Sequence, residues 1–180
     1  MTAERLALRS PIETPRTRIR RFAPEDVAPF SSFMADPGST MFLPFPEEMK
    51  TPDGAAALIE ETIRLYSTSD PLLAYAIERR SDGAFIGFCG MNVVGEDAVE
   101  ILYAILNGFR HQGFARETVR ALCEHVFAQS AVPRVVAFVD PRNAPSLVVL
   151  RSLGFSDHGS VAHHMFREPV QRFVLRREAL

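Results

Sequence analysis

The segment Asn107 to Gln129, NGFRHQGFARETVRALCEHVFAQ, opens as a polar, positively charged turn and ends as a helix with one apolar face. Ala115, Val119, Leu122, Cys123, Val126 and Phe127 recur at the i, i+4, i+7, i+8 spacing of a single helical face, with Arg116, Arg120 and Glu124 elsewhere on the wheel. Just upstream, Val99 to Leu106 is short, β-branched and aromatic, and it stops at the Asn107-Gly108 turn signal. A strand that passes through a turn into a helix aims several unpaired backbone N–H groups and the positive end of the helix dipole at one point. The chemistry expected there is anion binding. His111, His125, His158, His163 and His164 are candidate bases, but their spacing makes no metal motif, and no metal is expected.

The remaining elements can be read around this turn. Thr17 to Phe22 reads as a first strand, and Pro24-Glu25-Asp26 opens a helix with Val27, Phe30 and Met34 on one face, stopped by Asp36-Pro37-Gly38. Thr51-Pro52-Asp53 supplies a cap, a first-turn proline and an early acid for a second helix, whose buried face is Leu58, Ile59, Thr62, Ile63 and Tyr66. Leu73 to Glu78, Ala84 to Val94 and Val99 to Leu106 read as an antiparallel meander, the first two joined by a hairpin around Ser81-Asp82-Gly83. Arg134 to Val139 is a further strand, Asn143 caps a helix ending at Gly154, and two strands follow in Ser156 to Phe166 and Val170 to Arg176. The order β α α β β β α β α β β predicts a mixed, mostly antiparallel sheet flanked by helices, an α/β fold in one domain over residues 15–180, preceded by a loose N-terminal arm, residues 1–14.

Composition narrows the partners. A chain of 180 residues with 47% hydrophobic residues is long enough for one good core. With 20 basic and 22 acidic side chains and a net charge of −2, nothing in the total points to nucleic acid or a membrane surface. Arginines do cluster at Arg16, Arg18, Arg20, Arg21 and at Arg172, Arg176, Arg177, which suits a solvated strand face as well as a binding patch. Cys89 and Cys123 sit in apolar surroundings, as reduced core thiols do. No apolar run approaches a membrane span, so the expectation is a soluble, unexported, cytoplasmic protein.

Arg110-His111-Gln112-Gly113-Phe114-Ala115 resembles the [R/Q]-x-x-G-x-[G/A] loop of the GCN5-related N-acetyltransferase (GNAT) superfamily, in the required setting of strand before and helix after. EILYAIL at Glu100 to Leu106 and NAPSLVVLRSLGF at Asn143 to Phe155 extend the resemblance. TPRTRIRRFAPEDV, Thr14 to Val27, is similar to the opening of the RimJ/RimL branch, which acetylates ribosomal-protein N-termini. The resemblance implies acetyl-CoA as donor, with the backbone of Arg110, His111, Gln112, Gly113, Phe114, Ala115 and Arg116 around its diphosphate. Gly113 would let the phosphate approach the backbone, and Arg110 would add charge. Ala104 and Leu106 would pair with pantetheine, and one amide there would polarise the thioester carbonyl.

Glu100 stands where many members carry a catalytic glutamate; the other reading is a strand-end glutamate facing solvent. Leu150 occupies the place of the usual tyrosine acid, a departure from the pattern. Ser146 is the position from which members of the branch contact the sulfur, or simply a first-turn polar residue; Asn143 caps, contacts cofactor, or does both. Phe42, Phe45, Glu47 and Glu48 make either an acceptor pocket or a loop packed on the sheet or a second subunit. The function implied is acetyl transfer to a protein or peptide α-amine by a monomer or homodimer. The rivals are a small-amine acetyltransferase, a non-catalytic acyl-CoA-binding module and, more weakly, a nucleotide-phosphate binder.

Overall fold

The computed structural model describes residues 2–179. Its strands are β1 (Ile12–Glu13), β2 (Thr17–Arg20), β3 (Ala74–Arg79), β4 (Ala84–Val94), β5 (Ala98–Ile105), β6 (Arg134–Val139), β7 (Ser156–Val161) and β8 (Val170–Arg176). Its helices are α1 (Ala3–Leu6), α2 (Val27–Ala35), α3 (Pro37–Thr40), α4 (Pro52–Leu65), α5 (Phe114–Gln129) and α6 (Ala144–Ser152). The eight strands form one sheet in the order β1-β2-β3-β4-β5-β6-β8-β7. Every neighbouring pair is antiparallel except β5 and β6, whose parallel pairing is the one that needs a crossover, supplied by α5.

The strand period of two gives the sheet two differently covered faces. Tyr75, Cys89 and Tyr103 lie in register across β3, β4 and β5. Their row faces α1 and α5: the Tyr75 hydroxyl accepts the Leu8 N–H, and His125 of α5 bonds the Leu6 carbonyl. The adjacent row, Ala76, Phe88 and Ala104, faces α2. There Phe30, Phe33 and Phe45 gather on the Phe88 ring at centroid distances of 5.6, 5.4 and 5.9 Å. Aromatic pairs at such separations add to the stabilisation from area burial alone.

The first residues are not a loose arm. Leu6 and Leu8 are 0% and 2% exposed, and Ile12–Glu13 extends the sheet beside β2, so this segment belongs to the same core. Two further boundaries differ from expectation. Pro37 starts the short α3 instead of ending helical structure, because the Asp36 side chain accepts the Gly38 N–H and so caps it. The strand expected to run to Phe166 stops at Val161, which frees residues 162–169 as a connection over the sheet.

Candidate active site

β5 and β6 pair only at Ala98 with Arg134, Val99 with Val135 and Glu100 with Val136. Beyond Glu100 they part, while β4 continues along β5 and β8 continues along β6. A crevice of about 50 Å³ opens between Ile101, Leu102, Tyr103 on one side and Ala137, Phe138, Val139 on the other. Which backbone groups face it follows from one hydrogen bond. The Leu106 N–H donates to the Ile86 carbonyl at 2.9 Å, so Leu106 points at β4. Antiparallel alternation gives Ala104 the same direction and turns Tyr103 and Ile105 towards the split. The expectation for Ala104 and Leu106 is thus corrected by one residue, since a single-residue shift reverses side in a strand.

At the mouth of α5, Gly113 takes the N-cap position at φ +82° with no side chain capping the helix, which leaves the first-turn amides of Phe114, Ala115 and Arg116 to an outside acceptor. His111 is also left-handed, at φ 60°, an unusual conformation for a residue with a Cβ. The turn is braced from below. Arg16 donates through Nη1 to the Gln112 carbonyl at 2.8 Å and through Nε to Glu117 at 2.7 Å, and its guanidinium lies over the Phe114 ring. Burial alone would raise the Glu117 carboxyl, but the Thr14 hydroxyl with the backbone and side chain of Arg16 outweighs it and holds Glu117 below the usual range. In the sequence Arg16 is one arginine of the Thr14 to Val27 stretch; its bracing of the turn shows only in the fold, which brings it to Gln112 and Glu117.

Arg110 has a structural task as well as a place on the cavity. Its Nε donates to the Ile105 carbonyl at 3.0 Å, and both terminal nitrogens lie 3.4 Å from the Gly38 carbonyl, so the side chain ties α3 to the end of β5. It still lines the main cavity, about 530 Å³, together with Tyr103, Ile105, Gly113, Asn143 and Ser146. His111, Phe114, Ala115 and Arg116 border the same space. Asn143 caps α6, its side-chain oxygen accepting the Ser146 N–H at 3.3 Å. The Tyr103 hydroxyl reaches the Ser146 carbonyl at 3.5 Å, and burial pushes it up to about 12, so it stays protonated at neutral pH. Leu150 is fully buried.

Glu100 shares the α2 side of the strand with Leu102 and Ala104, opposite the side α5 covers. Its side chain is 15% exposed and stands 3.6 Å from His163 Nε2. Burial raises this carboxyl, while His163, Asn92 and His164 oppose the rise. The reading of Glu100 as a solvent-facing strand end therefore does not hold. Of the other histidines, His125 bonds the Leu6 carbonyl and His158 bonds Ser156, so both are engaged locally. In the Phe42 to Glu48 loop, Phe45 packs on Phe88, Glu47 pairs with Lys50 in solvent and Glu48 is exposed. Those four residues do not converge; Phe42 alone lines both the cavity and the crevice.

The family model described as acetyltransferase (GNAT) domain matches residues 16–156. The chain belongs to the GNAT acetyltransferase family and is an N-acetyltransferase. It is 27% identical over 151 residues to the uncharacterized N-acetyltransferase p20 of Bacillus licheniformis, covering 81% of this chain and 82% of the relative. The fold resembles a GNAT-family acetyltransferase from Bacillus anthracis, with TM-score 0.78, 18% identity and coverage of 94% and 99%. It also resembles Mycobacterium smegmatis RimJ in complex with CoA-disulfide, with TM-score 0.77, 18% identity and coverage of 95% and 88%. The donor used by a GNAT domain is acetyl-CoA.

Proposed function

We propose that this acetyltransferase acts on the N-terminal α-amino group of a protein or peptide, with Glu100 as general base. The observation that carries the reading is the split of β5 from β6 directly after Glu100, which joins a cavity on the α5 side to a half-buried carboxylate on the other. An α-amine near 8 needs a weaker base than a lysine near 10.4, and a carboxylate raised by burial is suited to it. The likeness to RimJ and the resemblance of Thr14 to Val27 to that branch support the same acceptor class.

The residues present fit acetyl-CoA. An uncapped helix N-terminus, a left-handed glycine before it, a free strand edge and a cavity of about 530 Å³ meet at one place. Bound acetyl-CoA supplies an acetyl group as a thioester that a neutral amine can attack. The amides from Gln112 to Arg116 would hold the diphosphate, and the Tyr103 backbone with the Ile105 N–H, the Ile105 carbonyl being held by Arg110, would orient the pantetheine arm. The Tyr103 N–H is placed to polarise the carbonyl, an oxyanion contact typically worth about 3 to 4 kcal/mol of barrier. Glu100 takes the amine proton from the opposite face. Ser146 lines the same cavity and is the residue that would contact the sulfur; with Leu150 buried at the place of the usual acid, a thiol of pKa about 8.5 leaves as its anion without one.

The test is an acceptor screen by mass spectrometry, offering peptides with free and blocked N-termini beside amino acids, polyamines and aminoglycosides. Acetylation confined to free peptide N-termini is expected. Turnover of the small amines alone would transfer the protein to the small-molecule class, and binding without transfer would make it an acyl-CoA-binding module.

A further inference from the structure

We propose that His163 is a positioning residue for Glu100: carried over the sheet by the connection between β7 and β8, its imidazole orients the carboxylate that accepts the amine proton. This rests on the catalytic reading of Glu100 above and adds a residue to it. His163 Nδ1 accepts the Met165 N–H at 3.3 Å, so Nε2 is the nitrogen that carries the proton in the neutral ring. That nitrogen lies 3.6 Å from Glu100 Oε1. The ring is fixed by packing, with Phe138 at 4.4 Å, His164 at 4.6 Å and the edge of Phe166 at 5.5 Å between centroids. Its side chain is only 9% exposed. A surface histidine on a loop would have neither the stack nor the directed nitrogen.

The surroundings leave His163 a specific task. Asn92 on β4 is polar and uncharged, Val136 and Phe138 on β6 are apolar, and the titratable groups facing Glu100 are His163 and His164. Burial makes Glu100 a stronger base, but a carboxyl raised too far would be protonated and idle at neutral pH. The imidazole, cationic when protonated, opposes burial first by its charge and only then by its N–H, and so keeps the carboxylate available. In the step itself the acceptor N–H bond breaks, an O–H bond forms on Glu100, and His163 keeps its own proton.

The test reads Glu100 directly. In protein labelled with ¹³C at the glutamate carboxyl carbons, the Glu100 signal is the one lost in Glu100→Gln. Its midpoint should lie above the ordinary glutamate range in the wild type, move higher in His163→Phe, and move by less in His163→Gln, which retains a donor. The acid limb of kcat should follow, with about a tenfold loss below the limb for each unit of rise and an unchanged KM for acetyl-CoA. If His163→Phe does not fold, His163→Gln carries the test, with a smaller upward movement expected. An unmoved midpoint and acid limb in a folded His163 variant of an active enzyme would overturn the pairing alone. A wild type that transfers acetyl to no amine in the screen would overturn the catalytic reading, and the role of His163 with it.

Discussion

At the scale of single residues, backbone direction and burial decide what each group contributes. Gly113 sits at φ +82°, and a Cβ built there comes within 3.2 Å of Arg16 Nη2. Gly113→Ala should therefore cost about 1–2 kcal/mol of stability from the left-handed backbone alone. It should also loosen the Arg16 brace and weaken CoA binding, read by calorimetric titration. Gly113→Glu should abolish that binding by adding negative charge at the anion site. Glu100→Gln should lower kcat by about 10²-fold with CoA affinity unchanged. Because burial raises Glu100, the wild-type acid limb should lie above the ordinary carboxylate range, and below it wild type and variant should converge. The left-handed glycine at the start of α5 was legible in the sequence because motif spacing marks it, and the same spacing singled out Glu100 as a candidate. The exchange of Ala104 and Leu106 for Tyr103 and Ile105 was not, since register depends on how β4 pairs with β5. His163 was visible only as one histidine among five, because what sets it apart is a contact distant in sequence.

At the scale of elements, the site depends on segments that hold the turn from outside. Thr14 and Arg16, entering β2, grip Glu117 in the first turn of α5 through the Thr14 hydroxyl and the Arg16 backbone and guanidinium. Glu117→Ala leaves those donors without their acceptor and should destabilise by about 1–3 kcal/mol in urea unfolding. The Glu117 carboxyl is held low in the folded state, so its stabilisation is present above the unfolded value near 4.3 and disappears as pH falls through the folded value. Glu117→Gln should accordingly flatten the fall of stability with acid. Deleting residues 2–8 should cost at least as much as one buried leucine, about 2–5 kcal/mol, because Leu6 and Leu8 leave the core. The long elements were legible: Ala84–Val94 and Arg134–Val139 keep their expected bounds, and α5 shows its apolar stripe. The first segment was not, because α1 has four residues, too few to show a period.

At the scale of the molecule, the proposed mechanism gives the two faces of the sheet separate tasks and joins them where the sheet opens. The cavity of about 530 Å³ lies against α5 and α6, Glu100 lies on the face shared with α2, and the faces communicate where β5 leaves β6. In the proposed mechanism, an eight-stranded sheet without that split would seal Glu100 from the donor. The central claim is that the mouth of α5 and the free edge of β5 form a CoA site, and thermal unfolding with CoA, acetyl-CoA, ATP and NAD in excess tests it most directly. A ligand at a hundred times its Kd adds about 2.7 kcal/mol, a shift of roughly 5 to 11 °C for a domain of this size. The account predicts such a shift with CoA and acetyl-CoA, and its loss in Gly113→Glu. Wild-type protein that melts at the same temperature with and without either CoA species would contradict it.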